Sequence, residues 1–249
     1  MKSSSGGVGS HNGDHLLEEG LAKLGLLNDN SLSLLVKYIE EIELFNPAYG
    51  LVKATDRQEL IVKHILDSLA PLGIIRSMVE SVHSEGGPPR IADAGSGAGL
   101  PGIPLAICMP CADFTLIERM GRRAGFLRDV LAILGLSNVR LEEAELEKLY
   151  PNPQEAVRFN LIVFRAFKPL EPVILKAFFR LLGTDGALAA YKGRRETIEE
   201  EMARLREEIS KVKGLSIGSS EALPLDVPFL DEERHLLLIR PGKPSGGEG

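Results

Sequence analysis

Residues 90–107 read RIADAGSGAGLPGIPLAI. A short apolar run meets glycines at positions 95, 97 and 99, and a second apolar run follows Pro101. Glycine accepts positive φ and carries no Cβ, so alternate glycines specify a tight loop whose backbone a ligand can approach closely. Pro101 falls in the first turn of the expected helix, where a missing N–H costs little. A strand, a glycine loop and a helix in this order commit the chain to an α/β fold. Its ligand is expected beyond the carboxyl ends of the strands.

The rest of the chain agrees with that commitment. Five more strand-like runs follow: DFTLIE (113–118), NVRLEE, FNLIVFRAF (159–167), GALAAYKG and HLLLIR (235–240). Helix-like runs lie between most of them, including RRAGFLRDVLAILGL with Gly135 as a stop signal. Strands alternating with helices predict crossover units and a largely parallel sheet covered on both faces. Before the glycine loop the pattern is helical. Leu32, Leu35, Tyr38, Ile39, Ile42 and Phe45 recur at steps of three and four, as do Leu60, Ile61, His64, Ile65 and Leu69. The expected organisation is a disordered tail over 1–13, a helical lobe over 14–83, a ligand-binding domain over 84–241 and a second disordered tail over 242–249.

Composition removes several classes of function. The 249 residues include only two cysteines, Cys108 and Cys111, with no second pair to complete a metal site. No apolar run is long enough to span a membrane, and MKSSSGGVGSHNGDH lacks the apolar core of a secretory signal, so a cytoplasmic protein is expected. The net charge of −6 argues against coating nucleic acid by bulk charge, though not against a local basic face.

The loop itself is selective. Gly95-Ser96-Gly97-Ala98-Gly99 has the spacing Gly-x-Gly-x-Gly, and Leu100 stands where the dinucleotide fingerprint requires glycine. No Lys-Ser/Thr pair follows, so the loop is not a P-loop. Asp93 precedes the glycines, and Glu118 closes the second strand, where a carboxylate can accept both hydroxyls of a ribose. Asp93, the glycines and Glu118 together resemble the pattern of class I S-adenosylmethionine (SAM) methyltransferases.

The Leu-Pro-Gly-Ile-Pro that follows is more specific. With it, the chain resembles the GidB/RsmG family, guanine-N7 methyltransferases of bacterial small-subunit ribosomal RNA. VKHILDSL (62–69) is similar to that family's Arg-His-Ile-Leu-Asp-Ser, LFNPAYGLVKATD to its Trp-Asn-x-x-x-Asn-Leu-Thr, and TLIERMGRRAGFLRDV to its second strand and helix. FRAF (164–167) resembles its Ser-Arg-Ala, YKG (191–193) its Leu-Lys-Gly, and ERHLLLI (233–239) its closing strand. The resemblance spans roughly residues 30–240. It implies a Rossmann-like, seven-stranded sheet with a helical N-terminal lobe. It also implies SAM contacts at Gly95, Leu100, Leu146, Glu147 and Arg165, beside Asp93, Ser96, Gly97, Gly99 and Glu118. The implied substrate is 16S rRNA, in its 530 loop, within the small subunit or a subparticle. Phe45, Gly50, Lys63, Glu145 and Phe164 depart from the family's usual Trp, Asn, Arg, Arg and Ser.

Guanine N7 offers an in-plane lone pair and no proton, so no proton relay is expected. The groups expected around the transferred methyl are His64, Asp67, Arg165 and Lys192. Arg165 suits either guanine O6 or the SAM carboxylate, and the cationic product favours the carboxylate. His64, Asp67 and Ser68 share a helix face, as a substrate-facing patch or as a network holding the lobe. Lys192 is a candidate for an RNA phosphate. Arg119, Arg122, Arg123 and Arg128 cluster after the second strand, and Lys192, Arg194 and Arg195 after the fifth, so Arg122 and Arg123 are further RNA candidates. Tyr191 and Phe167 are the best-placed aromatics. A monomer is expected, with no metal. The alternatives are a SAM-dependent enzyme for a small molecule and a SAM-binding module without catalysis; a dehydrogenase is disfavoured by the glycine spacing.

Overall fold

The computed structural model describes residues 8–81, 87–149, 157–166 and 170–242. Phe167 and most of both expected tails lie outside them. The chain begins with α1 (Val8–Lys23) and α2 (Asp29–Tyr49). Asn28 caps α2 by accepting from the Ser31 N–H, and Gly50 ends it at φ 59. Next, α3 (Arg57–Leu60) is capped by Asp56 and runs on through a π-helical segment, Ile61–Leu66, into α4 (Asp67–Leu69). The expected helical stripe of Leu60, Ile61, His64, Ile65 and Leu69 is thus a helix interrupted by one wide turn, a feature often found at functional sites. Helix α5 is Leu72–Ser81.

Then come β1 (Arg90–Ala94), α6 (Gly102–Cys108), β2 (Asp113–Ile117), α7 (Gly121–Leu134), β3 (Val139–Glu142) and β4 (Phe159–Arg165). They are followed by α8 (Pro172–Leu181), β5 (Leu182–Lys192), α9 (Arg195–Ile209), β6 (Ile217–Leu225) and β7 (Arg234–Pro241). Gly135 ends α7 at φ 63, as its sequence predicts. The seven strands form one sheet in the order β3-β2-β1-β4-β5-β7-β6. Pairs among β1 to β5 are parallel, and β7 runs antiparallel to both β5 and β6.

The strands alternate between two apolar layers. Ile162 and Phe164 of β4 join α8 and α9, with Phe164 stacked on Phe178 at 4.9 Å between ring centres. Leu161 and Val163 join α5 and α6 on the opposite face. This period-two burial on both faces is what a central parallel strand requires.

Three parts of the sequence-based organisation change. The backbone is already helical from Val8, inside the expected tail. Leu72, Ile75 and Val79 of α5 pack on the sheet with Ile91 and Phe114, so α5 belongs to the sheet's outer layer rather than to the lobe. Finally, α1, α2 and the π segment share one core with Ile103, Leu116 and Leu127 of the sheet domain, so the lobe is not a separately packed unit. The residues by themselves do not mark β6, whose alternation is broken by Gly218, Ser219 and Pro224, all exposed.

Packing around α6 is tight enough to test. A Cβ at Gly102 would stand 2.5 Å from Leu116 Cδ2 and 2.7 Å from Asp93 Oδ2. One at Gly125 of α7 would meet nothing within 4 Å. Gly102→Ala therefore lowers the free energy of unfolding by about 1–3 kcal/mol, whereas Gly125→Ala raises it by about 1 kcal/mol through helix propensity. Urea denaturation of the two variants checks both signs.

Candidate active site

The chain moves outward from β1 to β2 and β3, then returns to β4 beside β1. Two neighbouring strands whose connections leave in opposite directions open a crevice at their carboxyl ends. The glycine loop leaves β1 at that point. Gly95, Gly97 and Gly99 adopt φ 71, 59 and 93. At Gly99 a Cβ would also come within 2.4 Å of Ile103 Cδ1.

The loop's amides are largely committed to the protein. Gly95 and Ser96 N–H both donate to Ile117 O, at 2.8 and 3.1 Å. Gly99 and Leu100 N–H donate to Ser96 O, at 2.7 and 3.0 Å. Gly97 N–H donates to Glu118 Oε2 at 2.9 Å, while Met120 N–H donates to Glu118 Oε1 at 2.8 Å. Among the described residues, only Ala98 within 95–100 keeps an uncommitted N–H. The sequence suggested a cradle of open amides. The structure instead shows a braced loop, with one amide and open space at Gly97, where a Cβ would find nothing closer than Gly95 O at 3.8 Å.

Asp93 braces the loop from behind. Its Oδ2 accepts from the Gly102 N–H at 2.9 Å, and its Oδ1 is buried with no hydrogen-bond partner. Burial pushes this carboxyl up to about 7, against the pull of the Gly102 bond and of Arg165. Asp93 and Gly99 line neither of the cavities described next.

Two cavities flank the loop. The smaller, about 240 Å³, is lined by Glu118, Met120, Glu145, Leu146 and Glu147. Glu145 pairs with Lys148 at 2.8 Å, which offsets its charge beside this cavity. The larger, about 610 Å³, is lined by Ser96, Gly97, Ala98 and Leu100, by Lys53, Lys63, His64 and Asp67 from the lobe, and by Arg165, Lys192 and Arg234 from the strand ends. Gly95, Arg123 and Ala166 line both, so the cavities adjoin. Ala166 holds a positive φ of 50, which a residue with a Cβ rarely adopts and which is common at ligand sites.

Asp67 is the hub of the larger cavity. Arg165 Nη1 donates to its Oδ2 at 3.0 Å, and Arg234 Nε to its Oδ1 at 3.1 Å. Arg165 also reaches Lys63 O at 3.2 Å, a carbonyl of the π segment, and His64 Nδ1 at 3.1 Å. A guanidinium only donates, so His64 Nδ1 accepts, and its Nε2–H donates to Lys53 O at 3.2 Å. Burial, and then Arg165, lower the pKa of this imidazole, which is held neutral. Arg165 thus clasps the lobe to the sheet.

Other expected site residues stand differently. Ser68 is fully buried and donates to His64 O at 2.6 Å, so it bonds within the helix and does not face substrate. Lys192 lines the cavity, but its ammonium is held by Glu201 at 2.6 and 2.9 Å. Arg122 lines neither cavity; it lies over the Tyr49 ring, 4.8 Å from its centre, and Tyr49 meets Phe45 edge-on. Tyr191 donates to Ser68 O at 2.8 Å and Tyr38 to Ala98 O at 2.7 Å. Arg234, Lys53 and Tyr38 went unnoticed as site residues. Arg234 had the one signal that could have found it, a cation opening a strand at the ligand end of the sheet.

Residues 31–226 match the GidB family, described as rRNA small subunit methyltransferase G. The ribosomal RNA small subunit methyltransferase G of Treponema denticola is 37% identical over 90% of this chain and 93% of its own length. That of Yersinia pseudotuberculosis is 36% identical over 86% of this chain and 92% of its own. Among solved structures, a candidate caffeoyl-CoA O-methyltransferase of Staphylococcus aureus covers 92% of this chain and all of its own, with 14% identity and a TM-score of 0.52. That likeness concerns the fold alone, a Rossmann-like methyltransferase architecture. The sequence matches go further: this chain belongs to the GidB family of rRNA small subunit methyltransferases G.

Proposed function

We propose that the chain transfers a methyl group from S-adenosylmethionine to N7 of a guanine in small-subunit ribosomal RNA, the 16S species. The observation that carries this reading is the pair of adjoining cavities at the sheet's switch point, one walled by Glu118 and Leu146, the other by the lobe. The residues fit the cofactor. Glu118 retains lone pairs for ribose hydroxyls, Leu146 offers an apolar wall for a purine, and Gly97 leaves open space where a side chain would project. SAM, when bound, supplies a methyl group activated by a sulfonium. The protein's part is to align donor and acceptor, and positioning of this kind contributes roughly 7–11 kcal/mol.

The larger cavity suits an acceptor that has no proton to lose. The carboxylate of Asp67 accepts from two arginines, and the ring of His64 is engaged at both nitrogens. Neither is poised as a general base, and attack by the N7 lone pair needs none. Lys53 and Arg123 line this cavity without an ion pair among the described residues, and we assign them to RNA phosphate. Lys192, paired with Glu201, and Arg122, lying over the Tyr49 ring and outside both cavities, are not assigned to phosphate. Arg165 orients the lobe, and with it the base.

The test is incubation of the protein with tritiated SAM and small subunits that lack N7-methylguanine. Label is expected at a single guanine, and Gly97→Asp, which fills the open space with a carboxylate near Glu118, cuts transfer at least about 100-fold. SAM binding without transfer to rRNA would overturn the substrate; absence of SAM binding would overturn the whole reading.

His64 gives a second prediction, in pH. Its folded-state pKa lies below the ordinary value of 6.5, with Arg165, Asp67 and Glu59 as charged neighbours. Below pH 6.5 the unfolded chain therefore binds the proton more readily than the native one. The stability that His64 contributes is complete above pH 6.5 and is lost as pH falls through the folded pKa. The stability advantage of wild type over His64→Gln is thus largest near pH 7.5 and narrows toward pH 5, as measured by urea denaturation at each pH.

A further inference from the structure

Tyr38 lies in α2, its side chain wholly inside the core shared by the lobe and the sheet domain. Its neighbours in that core are overwhelmingly aliphatic, among them Leu35, Ile42, Ile61 and Ile103. For packing alone a phenylalanine would serve better, because a buried hydroxyl is costly unless it is bonded. This one has a single partner, the Ala98 carbonyl, at 2.7 Å. Burial keeps the phenol protonated by raising its pKa well above the usual value, so the group stays a donor.

Among the described residues, Ala98 makes no backbone–backbone hydrogen bond of its own within the glycine loop. Ala98 stands between Gly97 and Gly99, both at positive φ, and glycine rotates more freely than any other residue. The peptide joining Ala98 to Gly99 is held at one end by the Gly99 N–H bond to Ser96 O. Tyr38 holds the other end from outside the loop. The residue it fixes is also the one whose own N–H remains uncommitted beside the larger cavity.

We infer that Tyr38 is a positioning residue for the cofactor: its hydroxyl locks Ala98, so that the loop is already shaped for SAM before SAM arrives. The inference rests on the proposed SAM site and adds that the helical lobe, through one hydroxyl, sets cofactor affinity. Binding to a loop that must first be ordered is weaker by the cost of the ordering. Anything that shifts α2 is then felt at the cofactor, and SAM in turn tightens the lobe.

Calorimetric titration of SAM into the full chain tests this, with three proteins compared. Tyr38→Phe raises Kd about tenfold, about 1.4 kcal/mol, and leaves KM for the small subunit unchanged once SAM is saturating. Ile42→Val, a cavity in the same core that removes no hydrogen bond to the loop, loses comparable stability but keeps Kd within about twofold of wild type. In parallel, hydrogen exchange at residues 97–100 is faster in Tyr38→Phe and unchanged in Ile42→Val, a readout that does not require SAM. An unchanged Kd in Tyr38→Phe, or an equal rise in Ile42→Val, would overturn the inference. Failure of the wild-type protein to bind SAM at all would overturn the reading beneath it, while the exchange comparison still decides whether Tyr38 holds the loop.

Discussion

A single buried carboxylate joins the three parts of this protein that must meet. Asp67 sits at the end of the π segment of the lobe, 4% exposed, between Arg165 at the end of β4 and Arg234 at the start of β7. Its two oxygens serve the two guanidinia separately. Removing Asp67 would leave the Arg165 and Arg234 guanidinia facing each other across a largely buried space without their shared counter-charge. The π segment belongs to the same arrangement. Its wide turn brings the carbonyl of Lys63 and the ring of His64 to Arg165 as well. The lobe is thereby fixed over the crevice between β1 and β4, and the larger cavity exists because it is.

The same clasp explains how an acidic chain presents a cationic cleft. The sequence carries a net charge of −6, yet Lys53, Lys63, Arg123, Arg165, Lys192 and Arg234 all line one cavity. Several are partly neutralised, by Asp67, Glu201, Glu59 and Glu232. What remains is a field shaped by placement rather than by total charge. A site of that kind attracts a phosphate backbone locally, while the rest of the surface discourages indiscriminate binding along it.

Much of this could be read from the sequence, and the reason is local. The glycine loop, Glu118 at the end of β2 and the apolar runs of β1, β2 and β4 depend on neighbouring residues and on strand order, so spacing reveals them. Side-chain partnerships across the fold do not show in spacing. Ser68 looked like a substrate contact because it shares a helix face with His64, but its hydroxyl folds back onto the His64 carbonyl four residues earlier. Lys192 looked free because Glu201 lies nine residues further on, inside α9. Tyr38 read as one more member of a helical stripe, since nothing in α2 announces a carbonyl sixty residues further along the chain. The start of α1 and the placement of α5 were misjudged for a related reason. Composition near the N-terminus suggests disorder, and helical periodicity does not say which layer a helix will cover.

If S-adenosylmethionine is the cofactor, one ligand spans both cavities, its nucleoside on the Glu118 side and its reactive end beneath the lobe. A crystal structure with S-adenosylhomocysteine tests that most directly. The ribose hydroxyls should lie within about 3 Å of the Glu118 carboxylate, the purine against Leu146, and the amino-acid end in the larger cavity beside Ala98. Density in only one cavity, or a ligand bound away from the glycine loop, would contradict it.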